Sequence, residues 1–298
     1  MNLRDLMYFE VIAEEEHIGR ASLKLGRSKP ALTKCIQRME EDLGTDLFQR
    51  QGRNIRITPA GRMLLQTARH LRVASEESLS QVSDFIKGLT GTVRVGTGPT
   101  VAEFIMPTAC AQLQRTLPRV EISIMVELGG FIRQALRNNQ LDLIISTVLP
   151  EDTHEFDTEI IADDLVVVVA DHRHPLAGRT VDLADLAKQK WILSPAQAAN
   201  RQWLNWTFTS RNYPPPYAQL ECNSMHMLPP LIAETGLLGF VPRRYLRSAH
   251  FLSALVEVEC ATTTLKRSIG IIRRKNGYLS PAGEQLISIA QNIASELR

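Results

Sequence analysis

Apolar side chains recur at helical spacing in the first part of the chain. The pattern predicts a helix from Leu3 to Glu16 and two shorter helices between Ile18 and Leu43, separated at Gly26. The core-facing positions of the first helix are expected to be Leu3, Leu6, Phe9 and Ile12. The apolar stripe of the third helix is formed by Leu32, Ile36, Met39 and Leu43. Because each helix must bury its apolar side against another element, the pattern predicts a small helical unit.

The boundary between the second and third helices has the residues that a tight turn requires. Gly26 tolerates a left-handed backbone, Ser28 offers an N-cap oxygen, and Pro30 fits the first turn of the next helix. The opposite side of that helix carries Lys29, Thr33, Lys34, Gln37 and Arg38. Long cations neutralise phosphates, and Gln and Thr hydrogen-bond base edges, so the segment predicts a helix-turn-helix that reads a DNA major groove. A solvated amphipathic helix is the alternative reading of this helix alone.

Polar and apolar residues alternate after the helical unit. Ile55 and Ile57 alternate with Asn54 and Arg56 behind Gly52, which predicts a short hairpin. Its arginines are expected to follow phosphates or enter the minor groove, whereas a plain surface hairpin is the alternative. The predicted DNA contacts are Arg20, Ser28, Lys29, Pro30, Thr33, Lys34, Gln37, Arg38, Arg50, Arg53 and Arg56.

A long helix is predicted from the Thr58–Pro59 pair, an N-cap hydroxyl followed by proline, to about Gly88. Its residues at alternating spacings of four and three are Leu64, Ala68, Leu71, Ser75, Ser78, Val82, Phe85 and Leu89. A period of about 3.5 residues over this length is typical of a coiled-coil seam. We therefore expect a dimer whose two-fold axis presents two reading motifs to a pseudo-palindromic site.

Strand and helix patterns alternate from residue 90 onward. The predicted strands are Thr92–Thr97, Glu121–Val126, Leu141–Ser146, Ile160–Ala170, Leu238–Pro242, Leu255–Cys260 and Arg267–Arg273. The predicted helices are Thr100–Thr116, Phe131–Asn138, Leu183–Lys188, Met227–Glu234 and one from Pro281. The βαβαβ order favours parallel sheet covered by helices. Two chain crossings, near Ala162–Leu165 and Thr264–Arg267, would join two lobes around a cleft.

The whole pattern describes an α+β multidomain chain. Its predicted parts are a winged helix-turn-helix at 1–58, a linker and dimerisation helix at 59–89, and an α/β domain at 90–298. Within the last, one lobe covers about 90–162 and 267–298, and the other covers 163–266.

Composition and charge limit the class of protein that the chain can be. The 298 residues are 44% hydrophobic and 22% charged, which is typical of a folded soluble protein. The net charge of +2 gives no basic footprint over the whole chain, so nucleic-acid binding must rest on the local cations between Arg20 and Arg56. The four cysteines are widely spaced and form no metal-ligand pattern. No secretory segment or membrane span is evident, so a cytoplasmic protein is expected.

Specific residues of the N-terminal part resemble a known family. The matching residues are Ser28, Pro30, Ala31, Leu32, Ile36, Glu40, Leu43, Gly44, Leu47, Phe48, Arg50, Thr58 and Gly61. With the element order of the whole chain, they make it similar to the LysR-type transcriptional regulators. The resemblance implies an effector domain similar to type 2 periplasmic binding proteins. Lys29, Thr33 and Gly19 depart from the usual residues, so the operator sequence does not carry over.

Candidate effector contacts come from the rule that ligands of α/β sheets bind at the carboxyl ends of strands, near helix N-termini. This rule selects Thr97, Pro99, Thr100, Gly129, Ser146, Thr147, Ser194, Asn200 and Asn223. They are similar in position to the family's inducer-binding residues, although each Ser or Thr could instead be a plain helix cap. A carboxylate suits such a helix end, so a small anionic metabolite is expected, with no cofactor and no metal.

The sequence thus predicts a ligand-responsive transcriptional regulator. Its expected partners are double-stranded DNA, a small effector, further copies of itself in a homotetramer and RNA polymerase, with no membrane. One alternative is a thiol-based redox regulator that uses Cys222 and Cys260. Another is a solute-binding protein, which the lack of an export signal and the basic helical N-terminal part disfavour. An enzyme is disfavoured because no nucleophile elbow, phosphate loop or HExxH motif is present.

Overall fold

The computed structural model describes residues 1–51, 54–87, 91–224, 226–247 and 255–296, with residues 80, 81 and 83–87 described by their backbone alone. Two compact units are present, Met1–Ile86 and Lys87–Arg298. The elements of the first unit are α1 (Leu3–Glu15), α2 (Ile18–Leu25), α3 (Lys29–Leu43), β1 (Phe48–Gln51), β2 (Asn54–Ile57) and α4 (Pro59–Lys87). The predicted helix-turn-helix, hairpin and long helix are therefore confirmed as elements.

The turn between α2 and α3 follows from local chemistry. Gly26 ends α2 in the left-handed region with φ of 60°. The backbone N–H of Ala31 then donates to Ser28 Oγ at 3.4 Å, which caps the start of α3. At the start of α4, the N–H of Gly61 donates to Thr58 Oγ1 at 3.0 Å. Each predicted cap is present, because a small hydroxyl satisfies an N–H that the helix leaves without a partner.

The helical core uses fewer of the predicted positions than expected. Phe9, Ile12, Leu32 and Met39 are fully buried, but Leu3 and Leu43 are each 42% exposed. Leu3 is the first residue of α1 and Leu43 is the last residue of α3, so both lie at the edge of the helical core. Beside them, the N-terminal ammonium of Met1 pairs with Asp42 at 2.8 Å. Cys35 takes a buried position of α3 that the stripe did not include.

The first part of the long helix belongs to the core of its own unit. Leu64 packs against that core and Ala68 is buried in it. Farther along, Leu71, Leu79 and Val82 are exposed, at 46%, 69% and 57%. The side chain of Phe85, and Leu89 altogether, lie outside the described residues. The part of the predicted seam that remains available for a second chain is thus the middle of α4, because Leu64 and Ala68 already pack in the core of the first unit.

The second unit is built on one nine-stranded sheet. Its strands are β3 (Gly91–Thr97), β4 (Val120–Val126), β5 (Leu143–Val148), β6 (Phe156–Asp171), β7 (Lys190–Leu193), β8 (Tyr217–Glu221), β9 (Leu238–Pro242), β10 (Leu255–Glu257) and β11 (Leu265–Arg274). Its helices are α5 (Pro99–Phe104), α6 (Met106–Thr116), α7 (Gly129–Arg137), α8 (Asp152–Glu155), α9 (Leu183–Ala187), α10 (Ala199–Thr209), α11 (Leu228–Thr235), α12 (Pro281–Glu296) and a 3-10 helix (Arg243–Arg247).

Two long strands carry the sheet from one lobe into the other. The order is β4-β3-β5-β11-β6-β9-β7-β8, with β10 beside β6. The parallel pairing of β3 with β4 and β5 confirms the predicted βαβαβ unit. On β6, Ala162 packs in the core of lobe I and Val166 in a core of lobe II. On β11, Leu265 packs against the same core of lobe II and Ile269 packs in the core of lobe I, so this strand passes between the lobes within those residues. Both crossings therefore lie close to the predicted positions.

Other elements differ from the expectation. The helix predicted over Thr100–Thr116 is two helices, α5 and α6, with a break at Ile105. Pro107 explains the break, because proline lacks an N–H and restricts the residue before it. Strands β7 and β8 were not predicted, since each is short. Within the described ranges, no helix has the length and apolar character that crossing a membrane requires.

Replacing Gly26 with Ala tests the turn. A Cβ there meets no atom within 4 Å, so the effect comes from the left-handed backbone alone. We expect Gly26→Ala to lower the free energy of unfolding of the first unit by about 1–2 kcal/mol, measured by urea unfolding followed by circular dichroism. Gly26→Asn is the control and should lose less, because Asn tolerates this conformation better. Equal stability of the Ala variant and the native protein would contradict this account.

Candidate nucleic-acid interface and ligand cleft

Three polar side chains of α3 are exposed and uncommitted. Lys29, Lys34 and Gln37 face solvent, and within the described part of the chain none of them has a hydrogen bond or ion pair. Lys34 and Gln37 lie on the side of α3 opposite to buried Leu32 and Met39, and Lys29 is the first residue of the helix. This is the arrangement that a recognition helix needs, since its long side chains must reach base edges and phosphates.

Other predicted contacts on the helices already have partners. Ser28 Oγ caps α3, and the hydroxyl of Thr33 donates to the Lys29 carbonyl at 3.0 Å. Arg20 Nε donates to Glu15 Oε2 at 3.1 Å. The hydrogen bonds from Arg20 and Lys24 lower the pKa of the Glu15 carboxyl. Pro30 is exposed at the start of α3. Whether Arg20, Ser28, Pro30 and Thr33 also contact DNA stays a prediction.

Arg38, which was predicted only as a DNA contact, forms an ion pair with a buried acid of its own unit. Its Nη2 lies 2.5 Å from Oδ1 of Asp5, a carboxylate whose side chain is only 6% exposed. The same oxygen accepts from the Cys35 thiol at 3.5 Å. Burial, together with the charge of Asp5, raises the pKa of Cys35 from 9.0 to about 11. Arg38 thus compensates a buried charge that links α1 to α3, besides any contact it makes with a phosphate.

The hairpin arginines do not form one basic face. Arg50 lies opposite Ile55, and Arg56 lies opposite Gln49. Cross-strand partners share a face and neighbouring residues alternate, so Arg50 and Arg56 point to opposite sides of the hairpin. Both are exposed, and Arg53 lies outside the described residues. The contact of Arg50, Arg53 and Arg56 with DNA stays a prediction.

In the second unit, a cavity of about 610 Å³ opens between the lobes. The predicted residues on its wall are Pro99, Thr100, Gly129, Ser146, Thr147, Ser194, Asn200 and Asn223. Thr97 is a correction: it is fully buried, and its hydroxyl donates to the Ile145 carbonyl at 2.9 Å. The side chain joins neighbouring strands instead of reaching the cleft.

Helices from both lobes begin at this cavity. Gly129 opens α7 in lobe I and Ala199 opens α10 in lobe II, and neither helix has a side-chain cap. Free N–H groups at a helix N-terminus attract anions. Ser146 is 6% exposed and also lines the cavity, and no hydrogen bond of its hydroxyl occurs within the described ranges. The cleft therefore offers buried donors for an acidic group.

Several charged residues of the cleft were missed by the strand-end rule. Arg133 is held by buried Asp152, with Nε to Oδ1 at 2.5 Å. Arg267 donates to Oδ2 of Asp164 at 2.6 Å, and Arg244, which is not on the cavity wall, donates to the other oxygen of the same carboxylate at 2.9 Å. The other missed polar or aromatic residues of the wall are Glu127, Gln197, Gln202, Trp203, Lys266 and Ser268. The crossing near Thr264–Arg267 was the available signal for Lys266 and Arg267.

Helix α5 connects the cavity to the second lobe. Arg267 Nη2 donates to Thr100 Oγ1 at 3.0 Å. One turn farther, Phe104 packs edge-on against Tyr245, with ring centroids 4.9 Å apart. The Tyr245 hydroxyl donates to the Glu103 carboxylate, and this bond and burial raise the pKa of Tyr245. These α5 residues share one helix face, since they are three and four positions apart.

The cysteines lie away from this site. None of the four lines the cavity, and all four are free thiols. Cys260 belongs to a core of lobe II that contains Val168, whereas Cys222 packs against the core that contains Val167. Neighbouring strand residues face opposite sides, so the two thiols belong to opposite faces of the sheet. Among the described residues, no cluster of three or more His, Cys, Asp or Glu side chains is arranged to hold a metal ion.

A helix-turn-helix unit followed by a two-lobed unit with a ligand-sized cleft defines a class of ligand-responsive DNA-binding regulators. The family description "Bacterial regulatory helix-turn-helix protein, lysR family" matches residues 3–62, and "LysR substrate binding domain" matches residues 87–294. The chain belongs to the LysR family of transcriptional regulators. It is a DNA-binding transcriptional regulator with an effector-binding domain, in a family not known as enzymes.

The chain is similar to individual relatives and solved structures, some of them over its whole length. The transcriptional dual regulator GltC of Bacillus subtilis (strain 168) is 26% identical over 299 residues, which cover 100% of this chain and 99% of GltC. The CcmR regulatory domain of Synechocystis PCC6803, solved in complex with 2-PG, has a TM-score of 0.63 at 22% identity and covers 70% of this chain and 99% of that one. Full-length CbnR, solved with its target DNA, has a TM-score of 0.52 at 21% identity, and the match covers 99% of this chain and 100% of the CbnR chain.

Loss of the Arg38–Asp5 ion pair is expected to destabilise the first unit, and a DNA-binding assay alone would not separate this effect from the loss of a DNA contact. We expect Arg38→Ala to lower the free energy of unfolding by about 1–2 kcal/mol, because it leaves a buried carboxylate with fewer partners, although half of the arginine is exposed. The double variant Asp5→Asn/Arg38→Ala should recover part of that loss, since the unpaired charge is gone. Urea unfolding of the variants measures both effects. Additive losses in the double variant would show that the pair does not couple.

Proposed function

We propose that a small organic anion binds in the cleft between the two lobes and controls operator binding or promoter activation. The observation that carries the proposal is the meeting of two uncapped helix N-termini, from α7 and α10, at one cavity. Each N-terminus carries a partial positive charge and free N–H donors. An anion that spans the cavity would contact both lobes at once, so its binding would favour one relative position of the lobes.

Charge in the cleft supports an acidic ligand. Arg133 is neutralised by Asp152, while Arg244 and Arg267 share the single carboxylate of Asp164. Lys266 is exposed at the wall and has no ion pair within the described ranges. These four cations outnumber the two acids Asp152 and Asp164, and Glu127 on the same wall reduces the positive balance without cancelling it, which attracts an acidic group. CcmR, whose regulatory domain was solved with 2-PG, shares the fold of this domain and provides a precedent for a small ligand.

Helix α5 provides a route from the ligand to the lobes. Its first turn lines the cavity through Pro99 and Thr100, and Phe104 packs against a core of lobe II. A ligand that moves the Thr100–Arg267 contact would therefore also shift the contacts of Glu103 and Phe104 with Tyr245. We expect this displacement to change the populations of two lobe arrangements, and with them the spacing of the DNA-binding units and the bend of the operator.

Assembly follows from the exposed part of α4. Leu71 and Val82 are apolar, exposed and at coiled-coil spacing, which favours pairing with the same helix of a second chain. We propose a dimer through α4 that associates into a homotetramer, acts in the cytoplasm, contacts RNA polymerase and uses no cofactor. CbnR, solved with its target DNA, is a precedent for duplex binding by this fold. A thiol switch between Cys222 and Cys260 is the weaker hypothesis, because they belong to opposite faces of the sheet.

Alanine substitutions on α3 test the DNA-reading face. After genomic fragments bound by the protein have been selected, we expect Lys34→Ala and Gln37→Ala to weaken binding of the selected duplex by about 1–3 kcal/mol, measured by fluorescence anisotropy. Gln37→Ala should also relax sequence preference, whereas Lys34→Ala should weaken binding to all sequences alike. Lys188→Ala, an exposed lysine of the second unit, serves as the control. Unchanged binding by both α3 variants would contradict the assignment of this face.

Substitutions in the cleft test the effector site separately. A thermal-shift screen of small organic acids, including aromatic ones, should identify a ligand that raises the melting temperature. We then expect Thr100→Val and Ser146→Ala to reduce that shift while operator binding without ligand stays unchanged. Thr92→Val, on the far end of β3, is the control. Loss of ligand binding and operator binding to the same extent would argue against separate roles for the two units.

A further inference from the structure

A second cavity of about 300 Å³ adjoins the first. The two share part of their walls, including Glu127, Leu128 and Asn223. Glu127 follows the carboxyl end of β4 and directly precedes Leu128, the N-cap residue of α7. It is therefore a carboxylate on the boundary between two connected cavities, at the helix N-terminus that the anion is proposed to use.

Glu127 is the uncommitted acid of this region. Its side chain is exposed and makes no hydrogen bond or ion pair within the part of the chain that the structure describes, while its backbone N–H donates to the Thr97 carbonyl at 3.1 Å. The other acid of the second cavity, Glu103, is already engaged. It accepts a hydrogen bond from Tyr245, and its Oε1 lies 3.4 Å from Nε2 of His226.

An organic acid that lacks a positive group leaves the carboxylate of Glu127 unpaired. Its acidic group at the N-terminus of α7 would lie close to the like charge of Glu127, and like-charge neighbours disfavour binding. The combined cavities instead present uncommitted charges of both signs. Lys266, the uncapped helix ends and the Ser146 hydroxyl suit an acidic group, and Glu127 suits a cationic one. A ligand with both groups satisfies each charge.

We infer that the effector is a zwitterion: its acidic group binds among Ser146 and the N-termini of α7 and α10, and its ammonium group pairs with Glu127. The inference rests on the proposed function, since it concerns the ligand of the same cleft. Glu127 then acts as a specificity residue, because it favours an amino acid over the hydroxy acid of the same shape. The mechanism is selection by a charge that repels ligands lacking the ammonium group.

Matched pairs of ligands test this inference on the full-length protein. The pairs are L-phenylalanine with L-phenyllactate, L-leucine with L-2-hydroxyisocaproate, L-aspartate with L-malate, and L-glutamate with L-2-hydroxyglutarate. In each pair the hydroxyl replaces only the ammonium group. Isothermal titration calorimetry should show that the amino acid of at least one pair binds about fivefold more tightly than its hydroxy partner, which is the upper range for a solvent-accessible ion pair.

Variants of Glu127 identify the group responsible. Glu127→Gln should abolish the preference for that amino acid, by weakening its binding and leaving or improving the binding of the hydroxy acid. Glu121→Gln, on the same strand and outside both cavities, should leave the preference as it is. Because the side chain of Glu127 is exposed, the melting temperature of the unliganded Glu127→Gln variant should match that of the native protein, which excludes a folding defect.

Three results would overturn the inference. They are tighter binding of the hydroxy acid in every pair, a preference that persists in Glu127→Gln, and no binding of any amino acid in the set. None of these results removes the proposed function, which fails only if no organic acid in the broader screen binds the cleft and alters operator binding. The two hypotheses are thus tested by different outcomes.

Discussion

The second unit depends on a buried carboxylate between two strands that both lobes share. Asp164 of β6 lies opposite Arg267 of β11 in the sheet register, is 2% exposed at its side chain, and is paired with both Arg267 and Arg244. A charge removed from water in this way is tolerated only with close partners. The pair thereby fixes the crossing of the two strands, and Arg267 extends the same network to Thr100 at the cavity.

The first unit uses two buried acids, Asp5 and Glu10, and the half-buried Glu40 for a related purpose. Asp5 binds Arg38, Glu10 binds Arg72 with Nε to Oε2 at 3.0 Å, and Glu40 accepts the N–H groups of Leu47 and Phe48. These contacts tie α1, α4 and the hairpin to the helical core. Some arginines that look available for phosphate in sequence are therefore committed within the unit. Fewer side chains remain without an internal partner than the number of cations suggests, and on α3 they are Lys29, Lys34 and Gln37 among the described residues.

Much of the cleft followed from a rule about strand ends, and its exceptions have clear causes. Ser146 and Thr147 lie in the carboxyl-terminal half of β5, and Asn200 is the second residue of α10, so their places at the cavity come from the order of elements. The prediction that Thr97 lines the cavity is wrong because its hydroxyl donates to the Ile145 carbonyl of the neighbouring strand. Lys266 and Arg267 were missed because they reach the cavity from the middle of a crossing. Their position depends on the register of two strands that are distant in sequence.

The sequence by itself determined the local elements of this protein. Gly26, Ser28, Thr58 and the spacing of apolar residues define turns, caps and helix faces, because those preferences act over a few neighbouring residues. Only the tertiary structure decided which charges remain free. Arg38 is paired with Asp5 and Arg133 with Asp152, whereas Glu127 has no ion pair among the described residues. Long-range packing sets these distances.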